Sequence, residues 1–167
     1  LEMLENFNPC FVLDLTATPK KESNIISYVD AVQLKNEHMV KLPVIVYNRD
    51  SQSEVLIDAI DLRDKLEEIA SAEYAKTGKY IRPIALFQAQ PKGKEDATTF
   101  EKLRDKLVDA GIPAEQIAIR TADVNELKNT DLMSPSCLIR YIITVNALKE
   151  GWDCPFAYIL ASLANKT

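Results

Sequence analysis

Short apolar runs alternate with longer stretches of helical periodicity along this chain, and this alternation limits the folds that it can adopt. Residues 84–87 are apolar at every position, as expected for a strand covered on both faces of a parallel sheet. Other runs with strand character cover residues 11–15, 43–47, 117–119, 140–145 and 158–163. Strands that alternate with helices predict an α/β fold with a mostly parallel sheet.

Two stretches have the spacing of amphipathic helices. The first covers residues 52–77, where Ser51 and Glu54 form a capping-box pattern and Gly78 suits the C-terminal end. Its predicted buried face consists of Val55, Ala59, Leu62, Leu66 and Ile69. The second covers about residues 97–110, with Phe100, Leu103, Leu107 and Ala110 on its apolar face. Residues 20–40 are mixed, and we expect a connector with weak strand character around residues 28–34.

Length and composition indicate a globular chain. Its 167 residues suffice for one α/β domain with a core. The net charge of −5 gives no overall support for nucleic-acid binding, although a local basic strip remains compatible with it. No apolar run approaches the ~20 residues that span a bilayer, and no signal peptide is visible, so we expect a cytoplasmic protein without membrane contact. Because the chain begins at Leu1, we expect a piece of a longer protein.

Several classes of site are disfavoured by what the sequence contains. His38 is the single histidine, which argues against a His-based metal site or a Ser-His-Asp triad. Cys10, Cys137 and Cys154 form no CxxC pair, and reduced thiols are expected. The four glycines do not build a GxxxxGK[ST] or GxGxxG phosphate-binding loop. The sequence therefore predicts no metal site and no self-sufficient nucleotide site.

Polar segments follow several predicted strands, and ligands bind at the carboxyl ends of the strands in open parallel sheets. These segments are residues 16–18, 88–90 and 146–153. In the last of them, Gly151 would let the backbone approach a ligand, and Asp153 could bind a ribose hydroxyl. The same two residues also suit an ordinary glycine turn with a capped bend, and spacing alone leaves both interpretations open.

Three segments resemble motifs of the superfamily-two helicases. Residues 15–19, Leu-Thr-Ala-Thr-Pro, resemble motif III, and residues 84–91 are similar to motif IV. Residues 141–155 contain Ala-Leu-Lys-Glu-Gly-Trp-Asp-Cys-Pro and resemble motif V in the form found in type III restriction enzyme helicase subunits. The resemblance runs from residue 12 to residue 165 in matching order.

The resemblance implies a RecA-like fold: a P-loop NTPase second motor domain, three-layer with a mostly parallel sheet, truncated in this chain. Residues 1–20 would end the first RecA-like domain, residues 21–41 would connect, and residues 42–167 would form an incomplete second domain. Motifs I and II are expected before Leu1 and motif VI after Thr167. We therefore expect ATP and Mg²⁺ to bind the parent protein, and this fragment alone to bind neither and to be inactive.

The resemblance also implies a function and residue roles. The parent would be an ATP-dependent DNA helicase or translocase of a restriction-modification system, with DNA and a modification or specificity subunit as partners. Thr16 and Thr18 would couple the ATP state to DNA binding, and Gly151 and Asp153 would face the nucleotide. Residues near the DNA backbone would be Gln88, Gln90, Thr144, Asn146 and Lys149, although Lys149 also fits a solvated surface lysine.

Two alternatives remain open from the sequence. The chain could be a non-enzymatic α/β interaction module, in which the polar strand ends serve only structure. It could also belong to an RNA helicase, although the Gly-Trp-Asp-Cys-Pro form argues against this. A phosphate-loop lysine and a DExx box upstream, with an arginine-rich motif downstream, would identify the motor.

Overall fold

The computed structural model describes residues 6–16, 18–21, 23–37, 39–40, 44–91, 98–145 and 154–163. The chain divides into two units, residues 1–47 and residues 48–167. The described part of the first unit contains one short helix, and the second unit contains a β-sheet with two longer helices.

The helix of the first unit, α1 (Ala31–Asn36), begins with a capping box. Asp30 accepts a hydrogen bond from the Gln33 backbone N–H at 2.7 Å, and the Gln33 side chain accepts one from the Asp30 N–H at 3.0 Å. Two orphan donors of the first turn are thereby satisfied. The predicted weak strand character is thus wrong at residues 31–34, because a local cap stabilises a helical turn. The role of residues 21–41 as a connector stays a prediction.

Two predicted strands do not form in the structure. Residues 11–15 have irregular backbone and exposed side chains, and the same holds for residues 44–47, whereas Pro43 lies outside the described residues. A strand needs a neighbouring strand to receive its backbone hydrogen bonds. The described residues of this unit contain no sheet, so these apolar runs have no such neighbour there.

The sheet of the second unit has four parallel strands in the order β2-β3-β1-β4. They are β1 (Ile84–Gln88), β2 (Ile117–Arg120), β3 (Tyr141–Thr144) and β4 (Ala157–Ser162), and a short 3₁₀ helix (Ala114–Gln116) precedes β2. Each falls within one residue of a predicted strand at either end. The predicted α/β fold with a parallel sheet is therefore confirmed.

The described residues of this unit form two α-helices, α2 (Gln52–Thr77) and α3 (Phe100–Asp109). As predicted, the Glu54 N–H donates to Ser51 Oγ at 3.2 Å to cap the start of α2. At its end, Gly78 adopts φ 70°, a left-handed conformation that costs glycine little, and its N–H donates to the Tyr74 carbonyl. Among the described helices, none is long and apolar enough to cross a membrane.

The buried face of α2 differs from the predicted one. Ala59 is buried and Val55 and Leu66 are partly buried, as predicted, whereas Ile69 is 65% exposed and Leu62 lies at the surface. Buried positions are taken instead by Leu56, Ala70 and the charged Arg63, which is only 8% exposed. The helix is rotated because Arg63 finds an aromatic ring and carboxylates at that position, as described below.

The sheet is covered differently on its two faces. Both helices pack on one face, where Leu56, Leu103 and Leu107 contact strand residues such as Phe87 and Ile143. The opposite face is covered by side chains from irregular segments, namely Leu127, Leu132, Ile139, Cys154 and Phe156. Within the described ranges, the third layer expected from the resemblance is therefore not helical.

The outer edge of β2 is closed by the loop that follows it. The Ile119 N–H donates to the Glu126 carboxylate at 2.7 Å, and the Glu126 N–H donates to the Ile119 carbonyl at 3.0 Å. Arg120 and Asn125 form an antiparallel bridge beside this contact. The unpaired N–H and C=O groups of an edge strand can pair with a strand of another chain. Here Glu126 satisfies both the N–H and the C=O group of Ile119.

Candidate functional site

Two of the predicted site residues lie side by side at the carboxyl edge of the sheet. Gln88 is the last residue of β1 and Thr144 is the last residue of β3, and the two are register partners. They are far apart in sequence and belong to segments that were singled out separately, on resemblance to motifs IV and V. The strand-end rule had singled out Gln88, whereas Thr144 was named on the resemblance to motif V alone.

Register extends this pair into a row of four residues across the whole sheet. Arg120 at the end of β2 is the partner of Thr144, and Ser162 at the end of β4 is the partner of Gln88. Register partners in a pleated sheet lie on the same face, so all four share the face opposite the helices. We call Arg120, Thr144, Gln88 and Ser162 the polar row. Sequence analysis missed Arg120 and Ser162, although both lie where predicted strands end.

Thr144 is the most buried member of the polar row, at 3% exposure. Its Oγ1 atom has no hydrogen-bond partner within the described part of the chain. A buried hydroxyl without a partner costs about 1–3 kcal/mol of stability. Such groups call for a specific explanation, and strain at a ligand-binding site is one of the common ones.

Gln88 is half-buried, and its side chain is partly engaged. The Ser162 hydroxyl donates to Gln88 Oε1 at 3.0 Å. The Gln88 backbone carbonyl accepts from the Leu163 N–H at 2.9 Å, which continues the pairing of β1 with the end of β4. The amide NH₂ group makes no hydrogen bond among the described residues and remains as a donor that Gln88 can offer.

Gln90 has a different role from Gln88. Its Nε2 donates to the Leu163 carbonyl at 2.9 Å, and its Oε1 accepts from the Thr98 N–H at 2.9 Å. The Thr98 hydroxyl in turn donates to the Gln52 side chain at 2.7 Å. Gln90 thus ties together the segments after β1 and β4 and before α3. Its predicted contact with DNA stays a prediction, and both of its polar side-chain atoms are already in use.

Thr16 and Thr18 belong to the first unit and are exposed. The Thr18 N–H donates to Thr16 Oγ1 at 3.1 Å, and the two hydroxyls lie 3.4 Å apart. This is a local turn in which a threonine side chain satisfies a backbone donor two residues on. The coupling role implied by the resemblance stays a prediction.

The remaining predicted site residues lie outside the described residues. They are Asn146, Lys149, Gly151 and Asp153. The segment directly follows Val145, next to Thr144 of the polar row, and its nucleotide and DNA roles stay predictions.

A charged cluster lies at the opposite, amino-terminal end of β3. Arg63 is 5.3 Å from the centre of the Tyr141 ring and is ion-paired with Asp64 and Glu67, and Arg140 Nε donates to Glu67 at 3.1 Å. Burial raises the pKa of Tyr141, against the opposing charge of Arg63. Burial acts to lower the pKa of Arg63, but its hydrogen bonds to the carboxylates leave it raised. This cluster explains why an arginine occupies the buried face of α2.

Arg82 is a second buried cation, at 1% exposure, just before β1. Its guanidinium donates to three backbone carbonyls, those of Leu132, Ser134 and Cys137. It also lies 5.6 Å from the centre of the Phe156 ring. No carboxylate pairs with it within the described ranges. Arg82 therefore organises the irregular segment before β3.

Metal and thiol chemistry has little support in the described ranges. They contain no group of three or more His, Cys, Asp and Glu residues that could hold a metal ion. Cys10, Cys137 and Cys154 are free, and only Cys10 is exposed. The groups that stand out chemically are therefore the polar row at one end of the sheet and the structural cations at the other.

Comparisons of this chain with protein-family models, with curated proteins and with solved structures give no match.

Proposed function

We propose that this chain is part of an ATP-dependent DNA helicase or translocase of the restriction type, with a RecA-like second motor domain formed by its parallel sheet. In this proposal, the carboxyl edge of the sheet holds the DNA backbone and one wall of the ATP cleft. The parent protein would act with a modification or specificity subunit in the cytoplasm. The remaining motor motifs belong to the parent protein.

The observation that carries the proposal is the register pairing of Gln88 with Thr144. The resemblance to helicase motifs IV and V was noted on two separate segments of sequence. Their polar residues meet at the carboxyl edge of an all-parallel sheet, which is where open α/β sheets bind ligands. A chance likeness of two short segments would not require them to be neighbours, so this adjacency supports the proposal.

The chemistry of the edge suits a backbone grip that does not depend on base sequence. Hydroxyl and amide groups such as those of Thr144 and Gln88 donate hydrogen bonds to phosphate oxygens. The buried Thr144 hydroxyl, which has no partner among the described residues, is such a donor. A translocase needs contacts of this kind because it must hold every sequence along which it moves.

ATP and Mg²⁺ are assigned to the parent protein. The described residues hold no cluster of acidic, His or Cys side chains that would fit a metal ion. Gly151 and Asp153 are proposed to contact the nucleotide on the resemblance alone. We therefore derive no catalytic step through the metal from this chain.

The proposal is tested in the parent protein by changing Asp153 to Ala. DNA-stimulated ATP hydrolysis should be lost while the circular dichroism spectrum and the unfolding midpoint stay those of the wild type. Asp109→Ala, which removes an exposed carboxylate at the end of α3, is the matched control and should retain activity. Unchanged ATP hydrolysis in the Asp153 variant would remove the site assignment.

The same assay separates the alternatives. If the parent protein hydrolyses no ATP in the presence of duplex DNA or RNA, the interaction-module reading replaces the motor. If RNA stimulates hydrolysis and duplex DNA does not, the enzyme class stands and the substrate changes. Stimulation by duplex DNA is the result that we expect.

A further inference from the structure

We propose that Arg120 is a phosphate-binding residue at one end of the polar row, where it takes a backbone phosphate of DNA beside Thr144 and Gln88. Arg120 lies outside the three motif-like segments, so neither the resemblance nor the proposed function assigns it a role. The identity of the ligand as DNA rests on the proposed function, whereas the anionic character of the ligand rests on the groups described next.

The location of Arg120 follows from strand pairing. β2 is the neighbour of β3, and Arg120 is the register partner of Thr144. Neighbouring strands are about 4.8 Å apart, so Arg120 and Gln88 flank Thr144 within about 10 Å of each other. Long arginine and glutamine side chains can therefore reach a single ligand group that lies over Thr144.

The polar row offers three hydrogen-bond donors, one of them charged. The Arg120 guanidinium makes no hydrogen bond or ion pair among the described residues. The Thr144 hydroxyl has no partner there, and the single side-chain hydrogen bond of Gln88 uses its amide oxygen, so that its NH₂ group makes no hydrogen bond among the described residues. The positive charge of Arg120 disfavours a cation here, whereas an anion with several acceptor oxygens can accept from all three groups.

The glutamate in the loop that follows β2 does not neutralise Arg120. Glu126 lies in the loop that bridges back to β2, but its carboxylate accepts from the Ile119 N–H at 2.7 Å and pairs with Arg104 at 3.2 Å. Arg120 is half-buried, so its charge is less screened than that of a fully exposed side chain. A guanidinium with a free planar fork is well suited to phosphate oxygens.

A phosphodiester is favoured over a free nucleotide because of how the row is arranged. The four residues extend in a line across the strands, from β2 to β4, at one edge of the sheet. A line of donors matches a ligand that repeats its acceptor groups along a chain, as a nucleic-acid backbone does. The experiment below separates this ligand from a nucleotide phosphate.

The test measures the binding of fluorescein-labelled duplex DNA to the parent protein by anisotropy at several salt concentrations. Arg120→Gln should reduce the slope of log K against log salt by about 0.9, the contribution of one phosphate contact. Between 50 and 200 mM salt, the variant should then lose about 3.5-fold less affinity than the wild type. Arg120→Lys should keep the wild-type slope because it keeps the charge.

Two controls make the result specific. Lys106→Gln removes one positive charge from the exposed surface of α3, away from the row, and should leave the slope unchanged. Thr144→Val removes an uncharged donor and should weaken binding without changing the slope. A fluorescent ATP analogue is titrated in parallel, and its affinity should be the same for Arg120→Gln and the wild type.

Each contrary outcome has a distinct meaning. If Arg120→Gln and Lys106→Gln have the same slope, the inference is overturned while the proposed function stands. A loss of nucleotide affinity with an unchanged DNA slope overturns the assignment to DNA and moves the phosphate to the nucleotide. Wild-type protein that binds no DNA at any salt concentration overturns both proposals.

Discussion

Replacing Thr144 with valine should stabilise the protein, which is an unusual expectation for a residue at 3% exposure. The substitution keeps the branched shape and removes a hydroxyl that has no hydrogen-bond partner among the described residues. Burying an unsatisfied polar group costs about 1–3 kcal/mol, and valine also suits a strand slightly better than threonine. Because the site relaxes in part, we expect a gain of about 1–2 kcal/mol in the free energy of unfolding.

The matched control is the same substitution at Thr98. Thr98 is 5% exposed, so its burial is close to that of Thr144, but its hydroxyl donates to Gln52 Oε1 at 2.7 Å. Removing this donor leaves a half-buried amide oxygen without its partner. Thr98→Val should therefore lower the free energy of unfolding by about 1–2 kcal/mol, opposite in sign to Thr144→Val.

Both variants are measured by urea denaturation followed by circular dichroism, with the midpoint and the m-value fitted together. A common m-value shows that the midpoint shift reports stability and not a change in the denatured state. The fitting error of such a measurement is about 0.5 kcal/mol. If Thr144→Val destabilises the protein by more than this error, the Thr144 hydroxyl has a partner and the reasoning about the polar row fails.

Three further outcomes are expected. Arg82→Leu removes the guanidinium hydrogen bonds to three carbonyls, of which Ser134 keeps the Cys137 N–H and Cys137 keeps Arg140 as donors, whereas Leu132 loses its donor. The variant should cost about 1.5–3 kcal/mol in urea denaturation, and a cost below about 1 kcal/mol would show that the guanidinium is dispensable. Burial raises the pKa of Tyr141 in the folded state, so its contribution to stability is present below the unfolded pKa and is lost as the pH rises through the folded pKa. Tyr141→Phe should therefore reduce the fall in melting temperature at alkaline pH. Identical curves of melting temperature against pH for the variant and the wild type would contradict this. Leu56→Ala should cost about 2–5 kcal/mol and Ile69→Ala less than about 0.5 kcal/mol, because Leu56 is buried and Ile69 is exposed on the same helix, and equal costs would refute the orientation of the α2 face.

Local signals were sufficient to predict much of the second unit from sequence. Ser51, Glu54 and Gly78 delimit α2 because a capping box and a left-handed glycine act within one turn of chain. The strand ends were also predictable, since a continuous apolar run followed by polar residues marks where a buried strand leaves the core. The same rule, applied to Arg120, would have identified the cation of the polar row.

Features that depend on distant partners were not predictable. Arg63 interrupts an apolar pattern, and it is buried only because Tyr141 and two carboxylates meet it there. Residues 11–15 and 44–47 have the composition of strands, yet composition does not supply a neighbouring strand to pair with. The missing partner of Thr144 is likewise a property of the assembled sheet. The helix after Asp30 is the exception, because its capping signal was local and was overlooked.

Glu126 has a consequence for how copies of this protein can associate. Growth of a sheet through many copies requires each copy to offer two open edges, because one edge receives a neighbour and the other passes the pairing on. At β2 the backbone and the carboxylate of Glu126 already occupy the groups of Ile119 that an incoming strand would need. In the described sheet, edge-to-edge pairing is then left to β4, and pairing through that edge alone ends at two copies.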